Sequence, residues 1–147
     1  MKKNVARVLS DGAIGGFIAY ALISAYFAAF NVLTGHSAWR TLQTLSDAVF
    51  ASPGPPQMIA FNGVHMAAFL VLGVIAAFMI QELEVRPAFW YVAFFVSTIG
   101  FMLGYVLLSL ATSAMANLSP TTVLLGNLIA AVGMGAFLVY RQRHLAM

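Results

Sequence analysis

Four long segments of almost uninterrupted apolar residues dominate this sequence. They cover residues 13–34, 57–80, 88–112 and 121–140. Each is long enough for a membrane-spanning helix, which needs about 20 residues, and breakers containing proline separate them. The chain is 62% hydrophobic and only 7% charged, whereas about a quarter of the residues in soluble domains are charged. The sequence therefore predicts one all-α domain over residues 1–147, a four-helix transmembrane bundle.

The basic residues predict the orientation of this bundle. Six of the seven lie before the first segment, between the second and third, or after the fourth: Lys2, Lys3, Arg7, Arg86, Arg141 and Arg143. Only Arg40 falls in the loop on the other side. The positive-inside rule therefore predicts that both termini are cytoplasmic. The alternative, a cleaved signal peptide over residues 1–29, fits less well because the apolar stretch is longer than an ordinary signal sequence.

The outer loop, residues 35–56, is predicted to contain a short amphipathic helix. Its apolar positions recur at helical spacing: Trp39, Leu42, Leu45 or Ser46, and Val49. Ser37 is the expected N-cap. Such a helix would lie on the membrane surface with Trp39 at headgroup depth, or would cover the mouth of the bundle as a lid.

Small residues mark the predicted packing faces of the spans. Gly12 and Gly16 form a GxxxG pair in the first span, and Gly100 and Gly104 form another in the third. In the second span, Gly73 shares a stripe with Asn62 and His65. Because lipid tails are as apolar as leucine, helices in a membrane associate through such close packing and through polar contacts.

Polar side chains concentrate in the predicted outer half of the bundle. The candidate cluster contains one or more residues from each span: Asn31, Asn62, His65, Ser109 and Asn127. The simplest interpretation is that these side chains form hydrogen bonds between helices and fix their register, with about 0.6–2 kcal/mol for each contact.

Three functional interpretations of His65 compete with that structural one. A haem site would have to pair His65 with His36, and a copper site could use both histidines with Met58 and Met115. A proton relay or transport path would need further ionisable groups in the spans. Quinone or lipid headgroup binding also stays open. The sequence predicts no resident cofactor, metal site or catalysis, since it lacks cysteine, a carboxylate pair, a nucleophile–base pair and a phosphate-cradling loop. It predicts no nucleic-acid binding, because Lys and Arg do not cluster beyond the two ends of the chain.

Three stretches carry a resemblance to other proteins. They are "DGAIGGFIAYALISAYFAAFNVLTGHSAWRTLQTL", "AFNGVHMAAFLVLGVIAAF" and "LLGNLIAAVGMGAFLVYRQRHL". Together they resemble an uncharacterised family of small four-span bacterial integral membrane proteins, with a histidine in span two and a GN-LAA-MG-like span four. The resemblance implies a bacterial inner membrane and makes His65, Gly126, Asn127 and Gly135 characteristic positions. It implies no activity.

These observations lead to one functional expectation and one alternative. The chain is expected to be a non-catalytic accessory or scaffold subunit of a larger membrane complex, such as a respiratory or photosynthetic electron-transfer assembly. Its partners would be the lipid bilayer and other membrane subunits or further copies of itself. The alternative is a small binding or transport protein with a ligand, metal or haem in the polar cluster around His65.

Overall fold

The computed structural model describes residues 5–50, 54–85 and 119–143, which fold into four α-helices. These are α1 (Val5–Leu33), α2 (Arg40–Val49), α3 (Pro55–Val85) and α4 (Pro120–Arg143). Helices α1, α3 and α4 are long and apolar enough to cross a membrane, and the described ranges contain no β-strand. The all-α class and three apolar helices are thereby confirmed. The predicted span 88–112 lies outside the described residues.

The long helices extend beyond the apolar segments that predict them. Helix α1 starts at Val5 rather than at residue 13, and its 29 residues give a length of about 43 Å. The hydrocarbon core of a bilayer is about 30 Å thick. Hydropathy therefore marks only the part of a helix that fits the hydrocarbon, while the backbone hydrogen bonds continue past it.

Glycines bring α1 and α3 into backbone contact. A Cβ added to Gly12 would lie 2.5 Å from Val74 Cα, and one added to Gly73 would lie 2.7 Å from Gly16 Cα. A Cβ on Gly16 would overlap the carbonyl oxygen of Phe69. Only glycine fits at this crossing, so the packing role predicted for Gly12 and Gly16 is confirmed. The order of these contacts shows that the two helices run antiparallel.

Helix α4 packs on another side of α1, also antiparallel. Gly126 near its start faces the ring of Tyr26, and Arg141 near its end pairs with Asp11. Between these contacts lies a small core of almost fully buried side chains: Ala19, Ile23 and Ala130. Alanine at the crossing allows close approach of the helices, which is how membrane helices gain packing energy.

These contacts define two ends of the bundle. We call the end with Asp11 and Arg141 the ion-pair end, and the opposite end, where α1 finishes and α2 lies, the α2 end. Because α3 and α4 are both antiparallel to α1, they run parallel to each other. Helix α3 thus finishes at the ion-pair end, and α4 begins at the α2 end.

The predicted loop helix is confirmed as α2, which begins at Arg40 and ends at Val49. Thr41 and Ser46 are buried, while Trp39 and Val49, which the spacing predicts on one apolar face, are 65% and 63% exposed. The prediction that Ser37 is the N-cap is wrong: Trp39 occupies the N-cap position without a side-chain cap bond, and Ser37 Oγ accepts only a long hydrogen bond, 3.4 Å, from the Trp39 N–H. Helix α2 therefore packs on α1 and α3 with small polar residues and leaves larger apolar ones outside.

Candidate functional site

Helix α1 ends in a Schellman motif that turns the chain back toward the bundle. Gly35 has a φ of 77°, which side-chain-bearing residues rarely adopt. Its N–H donates to the Val32 carbonyl at 3.0 Å, and the His36 N–H donates to the Asn31 carbonyl at 2.8 Å. This is the pair of bonds that defines the motif. The turn places α2 directly beside the last residues of α1.

Asn31 connects α1 to α2 through a reciprocal pair of hydrogen bonds. Its Nδ2 donates to Thr41 Oγ1 at 3.0 Å, and Thr41 Oγ1 donates to Asn31 Oδ1 at 3.1 Å. Asn31 Nδ2 also donates to the Ala38 carbonyl at 3.2 Å. Both side chains are almost fully buried, at 3% and 5% exposed. Since the amide uses both its donor and its acceptor groups, Asn31 is a structural link.

A cavity of about 300 Å³ opens beside this link. His36 and Arg40 contribute its two basic side chains, and three threonines and Phe30 line the rest together with Asn31. None of these lining residues is acidic. Sequence reasoning placed His36 in the outer loop but did not group it with Arg40. The turn at Gly35 brings the two residues together, and this turn leaves no periodic pattern in the sequence.

Asn62 and His65 lie deeper, where α3 faces the middle of α1. Tyr20 Oη donates to Asn62 Oδ1 at 2.7 Å, joining the two helices. The imidazole of His65 lies edge-on to the Tyr20 ring, with centroids 6.1 Å apart. It also contacts Phe61 and Phe69 on its own helix, with centroids 5.7 and 5.1 Å away. His65 thus sits in an aromatic cluster next to an interhelical hydrogen bond.

The remaining residues of the predicted polar cluster are separate from these two sites. Asn127 is exposed within the described part of the chain, and its Nδ2 donates to the Val123 carbonyl of its own helix at 3.0 Å. Ser109 lies outside the described residues. The structure therefore divides the candidate cluster: Asn31 is at the α2 end, Asn62 with His65 is deeper, and Asn127 is on a different surface.

An ion pair between Asp11 and Arg141 joins α1 to α4 at the other end. The Nε and Nη2 atoms of Arg141 donate to Asp11 Oδ1 at 3.1 and 2.9 Å. The side chain of Asp11 is 12% exposed and that of Arg141 is 44% exposed. This contact links residues 130 positions apart in the chain.

The ligand sets considered for haem and copper are not brought together by the described helices. Tyr20, which contacts His65, and Leu33, which precedes His36, are separated by about 20 Å of helix. Met115 lies outside the described residues. Within residues 5–50, 54–85 and 119–143, no group of three His, Asp or Glu side chains is placed to hold a metal ion.

Sequence reasoning missed three partners in these sites. Tyr20 carried a usable signal, because a tyrosine hydroxyl in an apolar segment needs a hydrogen-bond partner when buried. No sequence signal identified Thr41 as the partner of Asn31 or Arg141 as the partner of Asp11, since both contacts depend on how the helices are arranged. Comparison with known proteins adds no candidate: no family model, curated protein or solved structure matches the chain.

Proposed function

We propose that this chain is a non-catalytic accessory or scaffold subunit of a larger complex in a bacterial cytoplasmic membrane, such as an electron-transfer assembly. One observation carries the proposal. Three of the polar contacts described above join helices: Tyr20 with Asn62, Asn31 with Thr41, and Asp11 with Arg141. They serve to fix one arrangement of the bundle, whereas a catalytic or transport site needs polar groups that converge on a substrate or on a path.

The lateral surfaces of the bundle supply the second support. Large apolar side chains are exposed along all three long helices within the described part of the chain, including Phe17 on α1, Val71 on α3 and Leu128 on α4. A bilayer solvates such surfaces, and neighbouring membrane subunits pack on them without loss of hydrophobic energy. A bundle with apolar sides suits a subunit that fills a position in an assembly.

The proposal includes a fourth span and cytoplasmic termini. Helix α3 finishes at the ion-pair end and α4 begins at the α2 end, which supports a further span between them. The apolar segment 88–112 is long enough to form this span as a helix. Both α1 and α4 have their basic residues at the ion-pair end, which favours a cytoplasmic location for it. Since the chain has no cysteine, Gln43→Cys should react with an impermeant maleimide added outside intact cells.

Site-specific photocrosslinking in native membranes tests the accessory role. A benzophenone amino acid placed at Phe17, Val71 or Leu128 probes three sides of one bundle, so each position controls for the others. We expect protein adducts of one defined mass from one side and lipid adducts from the rest. Absence of protein adducts from all three, with migration as a lone monomer in mild detergent, would exclude an accessory or self-associating role.

The ligand-binding alternative is tested by the absorption spectrum and metal content of the protein purified in mild detergent. A Soret band or stoichiometric copper that disappears in His65→Ala would replace the scaffold proposal with a cofactor-binding one. We expect a silent spectrum and a small loss of stability in His65→Ala, because the imidazole contributes aromatic contacts to the α1–α3 interface.

A further inference from the structure

Arg40 is in an unusual position for a basic residue in this chain. It is the only Lys or Arg between Arg7 and Arg86, and it lies at the α2 end, where Asp47 of the same helix is the only acidic residue among the described ones. Its side chain is half-buried against the cavity beside Asn31. Among the described residues no carboxylate lies within ion-pair distance of it. A guanidinium partly removed from water and without an anion favours an external partner of negative charge.

The other polar groups of the cavity are already engaged in the fold. Thr34 Oγ1 donates to the carbonyls at the end of α1, and Thr44 Oγ1 donates to the Arg40 carbonyl at 2.9 Å. The Thr41 hydroxyl donates to Asn31. The side-chain donors left to face a ligand are therefore the guanidinium of Arg40 and the imidazole of His36. A ligand that only accepts hydrogen bonds and carries negative charge matches this set.

The surroundings of the cavity indicate where such a ligand comes from. Val32 and Leu33 of α1 and Trp39 beside α2 are large apolar side chains exposed at the same end, within the described part of the chain. They would contact acyl chains while the cavity holds a headgroup. Arginine suits this role because its planar fork contacts two phosphate oxygens at once.

We propose that the cavity between the end of α1 and α2 binds a phosphate group through Arg40 and His36, with an anionic phospholipid as the principal source of that phosphate. The site lies at headgroup depth if α1 spans the bilayer. It is independent of the accessory role, because lipid retention at this position does not require another protein. Free inorganic phosphate shares the same chemistry and is the second source that the experiment must distinguish.

The test measures thermal unfolding of the full chain, purified in an uncharged detergent, against three added probes. These are dioctanoyl phosphatidylglycerol, dioctanoylglycerol, which has the same acyl chains without phosphate, and inorganic phosphate. A ligand that binds the folded state raises the unfolding temperature by an amount that grows with the logarithm of its concentration once that concentration exceeds the dissociation constant. We expect a concentration-dependent rise with phosphatidylglycerol and none with dioctanoylglycerol.

Two variants locate the binding site. Arg40→Gln should weaken the apparent affinity about tenfold or more, as expected for loss of charge-assisted hydrogen bonds. The double variant Arg40→Gln with Gln43→Arg restores the net charge on the exposed side of α2, and it should bind as weakly as Arg40→Gln. If Arg40→Gln proves unstable, Arg40→Lys keeps the charge in place and should retain part of the affinity.

Each outcome decides between the alternatives. Binding that depends on Arg40 and occurs only with phosphatidylglycerol supports a lipid site, and equal binding of inorganic phosphate supports a soluble source for the same pocket. Wild-type affinity in the double variant would mean that net charge alone attracts the lipid and would overturn the proposal. A response to dioctanoylglycerol equal to that for phosphatidylglycerol would overturn it as well.

Discussion

The glycine crossing between α1 and α3 gives the sharpest prediction for the stability of the bundle. In Gly73→Ala, the new Cβ would meet the Gly12 carbonyl oxygen and lie 2.5 Å from the Gly16 nitrogen. Both are backbone atoms, so no side-chain rotation can relieve the contact. Reaching an ordinary Cβ contact requires the two helices to separate by about 1 Å.

That separation weakens contacts along the whole interface. Overpacking of this kind costs about 1–3 kcal/mol, and the better helix propensity of alanine returns up to about 1 kcal/mol. Subtracting a gain of about 1 kcal/mol from this cost leaves a net loss of up to about 2 kcal/mol in the free energy of unfolding of Gly73→Ala. The Tyr20–Asn62 bond and the ring contacts of His65 lie on the same interface, so they should loosen too.

The same helix provides a matched control. Gly63 also lies in α3, but a Cβ added there has no heavy atom of the described residues within 4 Å. Gly63→Ala should raise the free energy of unfolding by up to about 1 kcal/mol, because it gains the helix propensity of alanine without meeting the opposite helix. The free energy of unfolding can be measured by titrating the detergent-solubilised protein with sodium dodecyl sulfate and following tryptophan fluorescence. Equal stability of Gly73→Ala and Gly63→Ala would refute the close backbone contact between α1 and α3 at Gly73.

Three further predictions concern single contacts. Tyr20→Phe removes the hydroxyl that binds Asn62, and a double-mutant cycle with Asn62→Ala should give a coupling energy of about 0.6–2 kcal/mol; a value of zero would contradict the bond. Asp11→Asn should lower the unfolding temperature. The double variant Asp11→Asn with Arg141→Gln should lower it by less than the sum of the two single changes, because the double variant leaves no charge without its partner. Gly35→Ala should destabilise the protein by about 1 kcal/mol, measured by the same detergent titration, since alanine is strained at a φ of 77°; unchanged stability would argue against the Schellman turn.

The helices themselves could be predicted because hydropathy depends on composition along the chain and needs no knowledge of neighbours. Three of the four apolar segments appear as long helices, and the amphipathic pattern after Gly35 appears as α2. The helix ends were less accurate, since hydrogen bonding continues beyond the hydrocarbon. The small residues were also informative, because glycine in an apolar helix has few uses other than close packing.

What the sequence could not supply was the partner of each packing residue. Gly12 and Gly16 form a recognisable pair, yet nothing in their spacing says that Gly73 of α3 faces them. Gly135 has the same local pattern as the packing glycines, but a Cβ there contacts none of the described residues. A small-residue motif thus indicates that a face is suited to contact and leaves the contacting helix undetermined.

The polar residues show the same limit in three dimensions. Counting residues from the end of a span gives depth at about 1.5 Å per residue, and depth alone grouped Asn31, Asn62 and Asn127 together. The direction in which each side chain points from its helix also decides which residues it can contact, and this direction depends on how the helices pack. Because α1 lies between α3 and α4, Asn62 faces Tyr20 while Asn127 of α4 points away from α1 and bonds its own backbone. A polar residue in a membrane helix therefore predicts that a hydrogen bond will form, and only the arrangement of the helices decides whether that bond joins two of them.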